Sequence, residues 1–233
     1  GSVDRTPAYR VFSIGRSQQV GTVKIDSVTA GSAGPTTEYI TLRVDGALSV
    51  DLTGWKLQDE RGDTNTIGEV VDEYDNGNTF SQHLVVPPQG RVVVNSGRSP
   101  VGSNIRLNSC AGYLERIGSF TPPIIQTCPV PSTSITQNLT RDCQQYLNGL
   151  NSCTPAPGVS TADTNRLKSE CVDFAQKHWS YPGCKNDHRS EPGFFLNEWR
   201  VFLGLTNQSF VNREHDTITL RDPNGKIVDQ YKF

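Results

Sequence analysis

Six cysteines constrain this chain more than any other feature. Cys110, Cys128, Cys143, Cys153, Cys171 and Cys184 all fall within 75 of its 233 residues, and none lies in either flank. An even, clustered set reads as a disulfide framework in an oxidising compartment. Zinc sites bring ligands in close pairs, whereas the successive separations here are 18, 15, 10, 18 and 13 residues. Six cysteines allow fifteen pairings, and the sequence leaves that choice open.

The cysteines divide the chain into three zones. Residues 3–109 read as short strands. In "GTVKIDSVTA", Val23, Ile25 and Val28 alternate with polar residues; in "TEYITLRV", Ile40, Leu42 and Val44 share a face. "WKLQD" points Trp55 and Leu57 inward, and "RVVVNSG" is a short apolar run with a turn behind it. Gly, Pro, Asp and Asn clusters separate these runs, as in a sandwich or barrel. Residues 110–197 break the pattern and form a helical cysteine-rich insert. One helix is expected in "SITQNLTRDCQQYLNGL", with Leu139, Cys143 and Leu147 on one stripe. A second is expected in "STADTNRLKSECVDFAQKHW", with Leu167, Cys171, Phe174 and His178 on one face. Residues 198–233 return to strands. "EWRVFLG" alternates, and "TITLRDPNGKIVDQYKF" is a hairpin around Asp222-Pro223-Asn224-Gly225, where Pro presets one turn residue and Asn-Gly tolerates positive φ.

Three of these stretches, "EYITLRVDGALSVDLTGWKLQDERGDTNTI", "VVPPQGRVVVNSG" and "HDTITLRDPNGKIVDQYKF", together resemble the lamin-tail domain, an immunoglobulin-like β-sandwich. The resemblance rests on Glu38-Tyr39-Ile40, on Asp51 to Leu57 with Asp59 and Gly62, on Pro87-Pro88 and Gly90, and on Asp216, Leu220, Asp222, Gly225, Val228 and Tyr231. It implies a mainly β lamin-tail sandwich built from residues 3–109 and 198–233, interrupted by the insert, with Trp55 and Tyr231 in its core. Such domains occur in nuclear lamins and in exported bacterial proteins, often beside nucleases. The chain has no coiled-coil rod, and its cysteines favour the exported branch, secreted or at the cell surface.

Charge narrows the partners. Lys and Arg total 22 against 24 Asp and Glu, so no electrostatic footprint for nucleic acid or an anionic membrane is present. No apolar run approaches the ~20 residues needed to span a bilayer. Met is absent and Gly1-Ser2 reads as a cloning remnant, so a membrane connection is expected only through an N-terminal anchor since removed.

No catalytic constellation stands out. His83, His178, His188 and His215 sit in no recognisable nucleophile or metalloprotease motif, although His178 and His188 lie near Asp187 and Glu191. "DEYDNGN" fails as an EF-hand loop, which leaves Asp72, Glu73, Asp75 and Asn78 as a looser calcium option. Asn138 and Asn207 begin glycosylation sequons. Arg61-Gly62-Asp63 is an adhesive tripeptide on an expected turn. In the insert, Trp179, Tyr181, Phe194 and Phe195 are close in sequence and suit either a small core or contacts to a partner. The expectation is a non-enzymatic adhesion or binding module without cofactor, recognising a protein or glycan on a cell surface through the insert. The alternatives are a structural envelope or assembly module, or an accessory domain associated with nucleic acid or a nuclease.

Overall fold

A computed structural model describes residues 15–75, 80–158 and 160–233. Among them, eight strands come first: β1 (Val23–Thr29), β2 (Tyr39–Val44), β3 (Val50–Asp51), β4 (Lys56–Gln58), β5 (Thr64–Thr66), β6 (Val85–Val86), β7 (Arg91–Asn95) and β8 (Ile105–Asn108). Five short helices follow: α1 (Thr133–Thr136), α2 (Arg141–Asn148), α3 (Thr161–Leu167), α4 (Ser169–His178) and α5 (Tyr181–His188). Three strands close the chain: β9 (Phe195–Phe202), β10 (Thr217–Arg221) and β11 (Ile227–Lys232). The fold is mainly β. One sheet has the order β1-β2-β7-β9-β8, a second β11-β10-β4-β5, and β3 pairs with β6. Every pairing is antiparallel except β7 with β9.

Alternation in the strands builds one core between the two larger sheets. Ile40, Leu42 and Val44 of β2, Val92 and Val94 of β7, and Trp199 and Val201 of β9 pack with Leu57 of β4 and Ile218 and Leu220 of β10. Trp55 is buried among them, and Tyr231 packs against their edge. Glu38, immediately before β2, is fully buried. Its Oε2 accepts the backbone N–H groups of Phe210 (3.0 Å) and Val211 (3.4 Å), which fastens the β9–β10 connection to the sheet. In the terminal turn, Asp222 Oδ1 accepts from the backbone of Asn224 and Lys226, both at 3.0 Å, and Gly225 takes φ 78°.

Strand β9 carries apolar or covered residues on both faces. Trp199 and Val201 face the inter-sheet core, while Arg200 is 3% exposed and Phe202 packs against a second core. The insert causes this. Arg200 donates to the Pro122 carbonyl at 2.7 Å and pairs with Glu198 at 2.9 Å; Asn95 Nδ2 donates to the Thr121 carbonyl. Burial lowers the Arg200 pKa, and the Glu198 charge opposes that shift. The second core joins insert to sheet, with Ile105 and Leu107 of β8 meeting Tyr113, Leu114, Phe120, Ile124, Tyr181 and Phe194.

The three disulfides resolve the open pairing as Cys110–Cys184, Cys128–Cys153 and Cys143–Cys171. The last joins α2 to α4 inside a third, small core of Leu147, Leu167, Ala175 and Trp179. Both expected helices are broken. The first divides into α1 and α2, because the Thr140 hydroxyl oxygen accepts the Cys143 N–H (3.4 Å) and caps a new start. The second divides into α3 and α4 at Lys168, whose φ of 66° is incompatible with a continuous helix. Helix α5 was not expected; Ser180 caps it through the Gly183 N–H (3.1 Å), with Pro182 in the first turn. Strand β9 starts at Phe195, three residues before the expected alternation.

Candidate functional site

Most of the aromatic residues singled out in the sequence are internal. Trp179 is 3% exposed in the α2–α4 core, while Tyr181 (8%) and Phe194 (3%) belong to the joint. Tyr181 packs against Tyr74 (5.9 Å between centroids), and its hydroxyl accepts from Asn108 Nδ2 at 3.0 Å. Burial pushes the phenols of Tyr181 and Tyr113 up to about 12. Phe195 is half-buried and meets Phe194 edge-on at 5.0 Å. These rings occupy core positions, and Phe195 alone among the four keeps substantial exposure.

Arg61 and Asp63 stand on an exposed turn, but the guanidinium is already engaged. It contacts Asp59 (2.7 Å) and donates to the carbonyls of Ser209 (3.0 Å) and Phe210 (3.3 Å), with Asp63 at 3.5 Å. The Asp59 contact raises the Arg61 pKa further. This network fastens the β4–β5 turn to the chain before β10.

The insert forms a groove of about 450 Å³, lined by residues 126–129 and 191–194 with Ser109 and Ser152. Both walls are fixed. The Cys128–Cys153 bond anchors one, and the Ser152 hydroxyl donates to the Cys128 carbonyl at 2.7 Å. Phe194 holds the other: its carbonyl accepts the Ser109 N–H at 2.8 Å. Gly112 packs directly behind the disulfide; a Cβ there would strike the Cys153 sulfur and sit 2.9 Å from the Ile125 carbonyl. Ile125 (74% exposed) and Val130 (54%) flank the 126–129 wall as unburied apolar side chains. Glu191 is the ionisable side chain in the lining and pairs with His188 Nδ1 at 2.8 Å. The groove thus offers a carboxylate, hydroxyls, an amide and apolar edges on a rigid frame, a surface suited to binding. Nothing in the sequence pointed to the 126–129 wall, which reads there as Pro/Ser punctuation; two bulky apolar residues without periodic partners were the available signal.

The other candidates are structural in their contacts. His178 Nδ1 meets Asp187 at 2.7 Å and stacks on Phe174 at 4.2 Å, clamping α4 to α5. His83 pairs with Asp51 at 2.7 Å, and that contact raises its pKa. His215 is exposed. Glu73 and Asp75 face cations of α5 and its C-cap, with Arg189 at 2.9 Å and Lys185 at 3.9 Å; Asn78 lies outside the described residues. Among the described residues no group of three or more His, Cys, Asp or Glu side chains could hold a metal ion, and no helix is long and apolar enough to cross a membrane. Asn138 and Asn207 are both exposed. No protein-family model matches the sequence, and no curated protein is detectably similar to it.

Proposed function

We propose that this chain is a non-enzymatic recognition module of an extracellular or cell-surface setting: a lamin-tail-like, immunoglobulin-like sandwich whose disulfide-held insert contacts a protein or glycan partner. The observation that carries the reading is the groove beside Cys128–Cys153. Its walls come from separate segments fixed by a covalent bond and backbone hydrogen bonds, and it is flanked by the exposed Ile125 and Val130. A rigid site on a scaffold binds without a large ordering cost. Three disulfides confined to one segment fit an oxidising compartment.

Deleting the insert would bare Ile105 and Leu107 of β8, so point substitutions test the reading more cleanly. Fluorescently labelled protein is applied to intact candidate cells and to purified envelope glycans, beside an Ile125→Asp/Val130→Asp variant. Both positions are exposed, so folding is expected to persist. Binding lost in the variant supports the insert as the contact; binding retained at full strength removes the groove from the account.

A further inference from the structure

A second pocket, sharing no lining residue with the insert groove, lies where β8 and β9 meet the chain before β6. Asp72, Gln82, His83, Val85, Arg106 and Trp199 line about 350 Å³ there. Arg106 is unusually well held. Its guanidinium carbon sits 5.1 Å from the Phe195 ring centroid and 4.9 Å from that of Trp199, and its Nε donates to the Leu196 carbonyl at 2.9 Å. Phe194 supports Phe195 from the side. Two rings and a carbonyl thus fix the plane of the guanidinium, yet no carboxylate pairs with it among the described residues.

Asp72 lines the same pocket, half-buried, and also lacks an ion pair among the described residues. A cation and an anion face one cavity without meeting. Each is half-withdrawn from water, which favours a ligand that satisfies both. Gln82 and His83 add two further hydrogen-bonding groups, and His83 is oriented by Asp51. An amino acid would match Arg106 and Asp72 with its carboxylate and ammonium but has few other donors and acceptors. A sugar acid matches all four: a carboxylate for Arg106, hydroxyls for Asp72, Gln82 and His83.

We infer that the Arg106–Asp72 pocket binds a sugar acid, a glycan unit carrying a carboxylate beside free hydroxyls. The site is independent of the insert groove, so either proposal can fail alone.

Titration calorimetry on the full chain tests it with glucuronate and N-acetylneuraminate as probes and glucose and glycine as controls. Saturable binding of at least one sugar acid is expected, without saturation by glucose or glycine. Arg106→Gln, which keeps a planar amide, is expected to weaken it about tenfold or more, and Asp72→Asn severalfold. Near-UV circular dichroism checks that each variant is folded; if Arg106→Gln is not, Asp72→Asn carries the test. No saturation by either sugar acid, equal binding of glucose or glycine, or undiminished binding in the folded variants overturns the assignment.

Discussion

Among the described residues, twenty-two buried side chains around Leu57, from both large sheets, the β3–β6 pair and the loops between them, share a core without a covalent cross-link; around Cys171, a core of six has a disulfide through it. The two regions face the same entropy of chain ordering with unequal apolar surface. The sheets close their core with long-range pairings, β10 against β4 and β2 against β7, which position many side chains at once. The insert has helices of ten residues or fewer, lengths that are marginal without tertiary support. Cross-links restrict its unfolded ensemble and so replace part of the burial it lacks. The Cys128–Cys153 bond also anchors one groove wall, so a cross-link that stabilises the insert helps to shape its candidate contact surface.

The largest expected effects break that contrast directly. Replacing both members of Cys110–Cys184, which closes the longest loop at a separation of 74, should cost about 4.5 kcal/mol. The pairs at separations of 25 and 28 should cost about 3.5 kcal/mol each. Urea unfolding followed by helix-sensitive circular dichroism would read these losses, with the β signal persisting to higher denaturant. Leu57→Ala should cost about 3–4 kcal/mol and shift the β transition, whereas Leu147→Ala, in the smaller core, should shift only the helical one.

Alkaline pH offers a way to weaken the joint without mutation. Tyr113 and Tyr181 are both held protonated to about 12, above the ordinary value of 10.0. Their contribution is complete below pH 10 and is lost as pH rises from 10 to 12, because the unfolded phenols ionise first. Each is expected to cost roughly 2–3 kcal/mol over that window. Ultraviolet titration should show two late-ionising tyrosines, and loss of the insert's signal should precede that of the sheets. At the small end, Tyr181→Phe removes the hydroxyl that accepts from Asn108 and should cost about 1 kcal/mol by thermal or urea melting.

The strands were legible because burial of one face imposes a period of two. Ile40, Leu42 and Val44, and Ile218 with Leu220, are all buried as their alternation requires. What the pattern could not show was that the outer face of β9 is covered as well; Arg200 looks like a solvent residue until the 121–122 segment lies over it. The helices were legible as stripes but not as boundaries, since Leu139, Cys143 and Leu147 continue in phase across the Thr140 cap. Helix α5 was hidden by Pro182 and Gly183, which read as breakers yet occupy its first turn. The groove was illegible for a different reason: its walls are remote in sequence, one anchored by one of fifteen cysteine pairings and the other by the backbone hydrogen bond from Ser109 to Phe194. Arg106 escaped notice because its stacking partners, Phe195 and Trp199, lie some ninety residues away.

Hydrogen exchange on the native chain, before and after reduction and alkylation of the cysteines, tests most directly whether the insert depends on its cross-links while the sheets do not. The account predicts that amides of α2, α4 and α5 lose protection, while those of β2, β7 and β10 keep it. Loss of protection throughout the sheets, or full retention of it in the helices, would contradict the account.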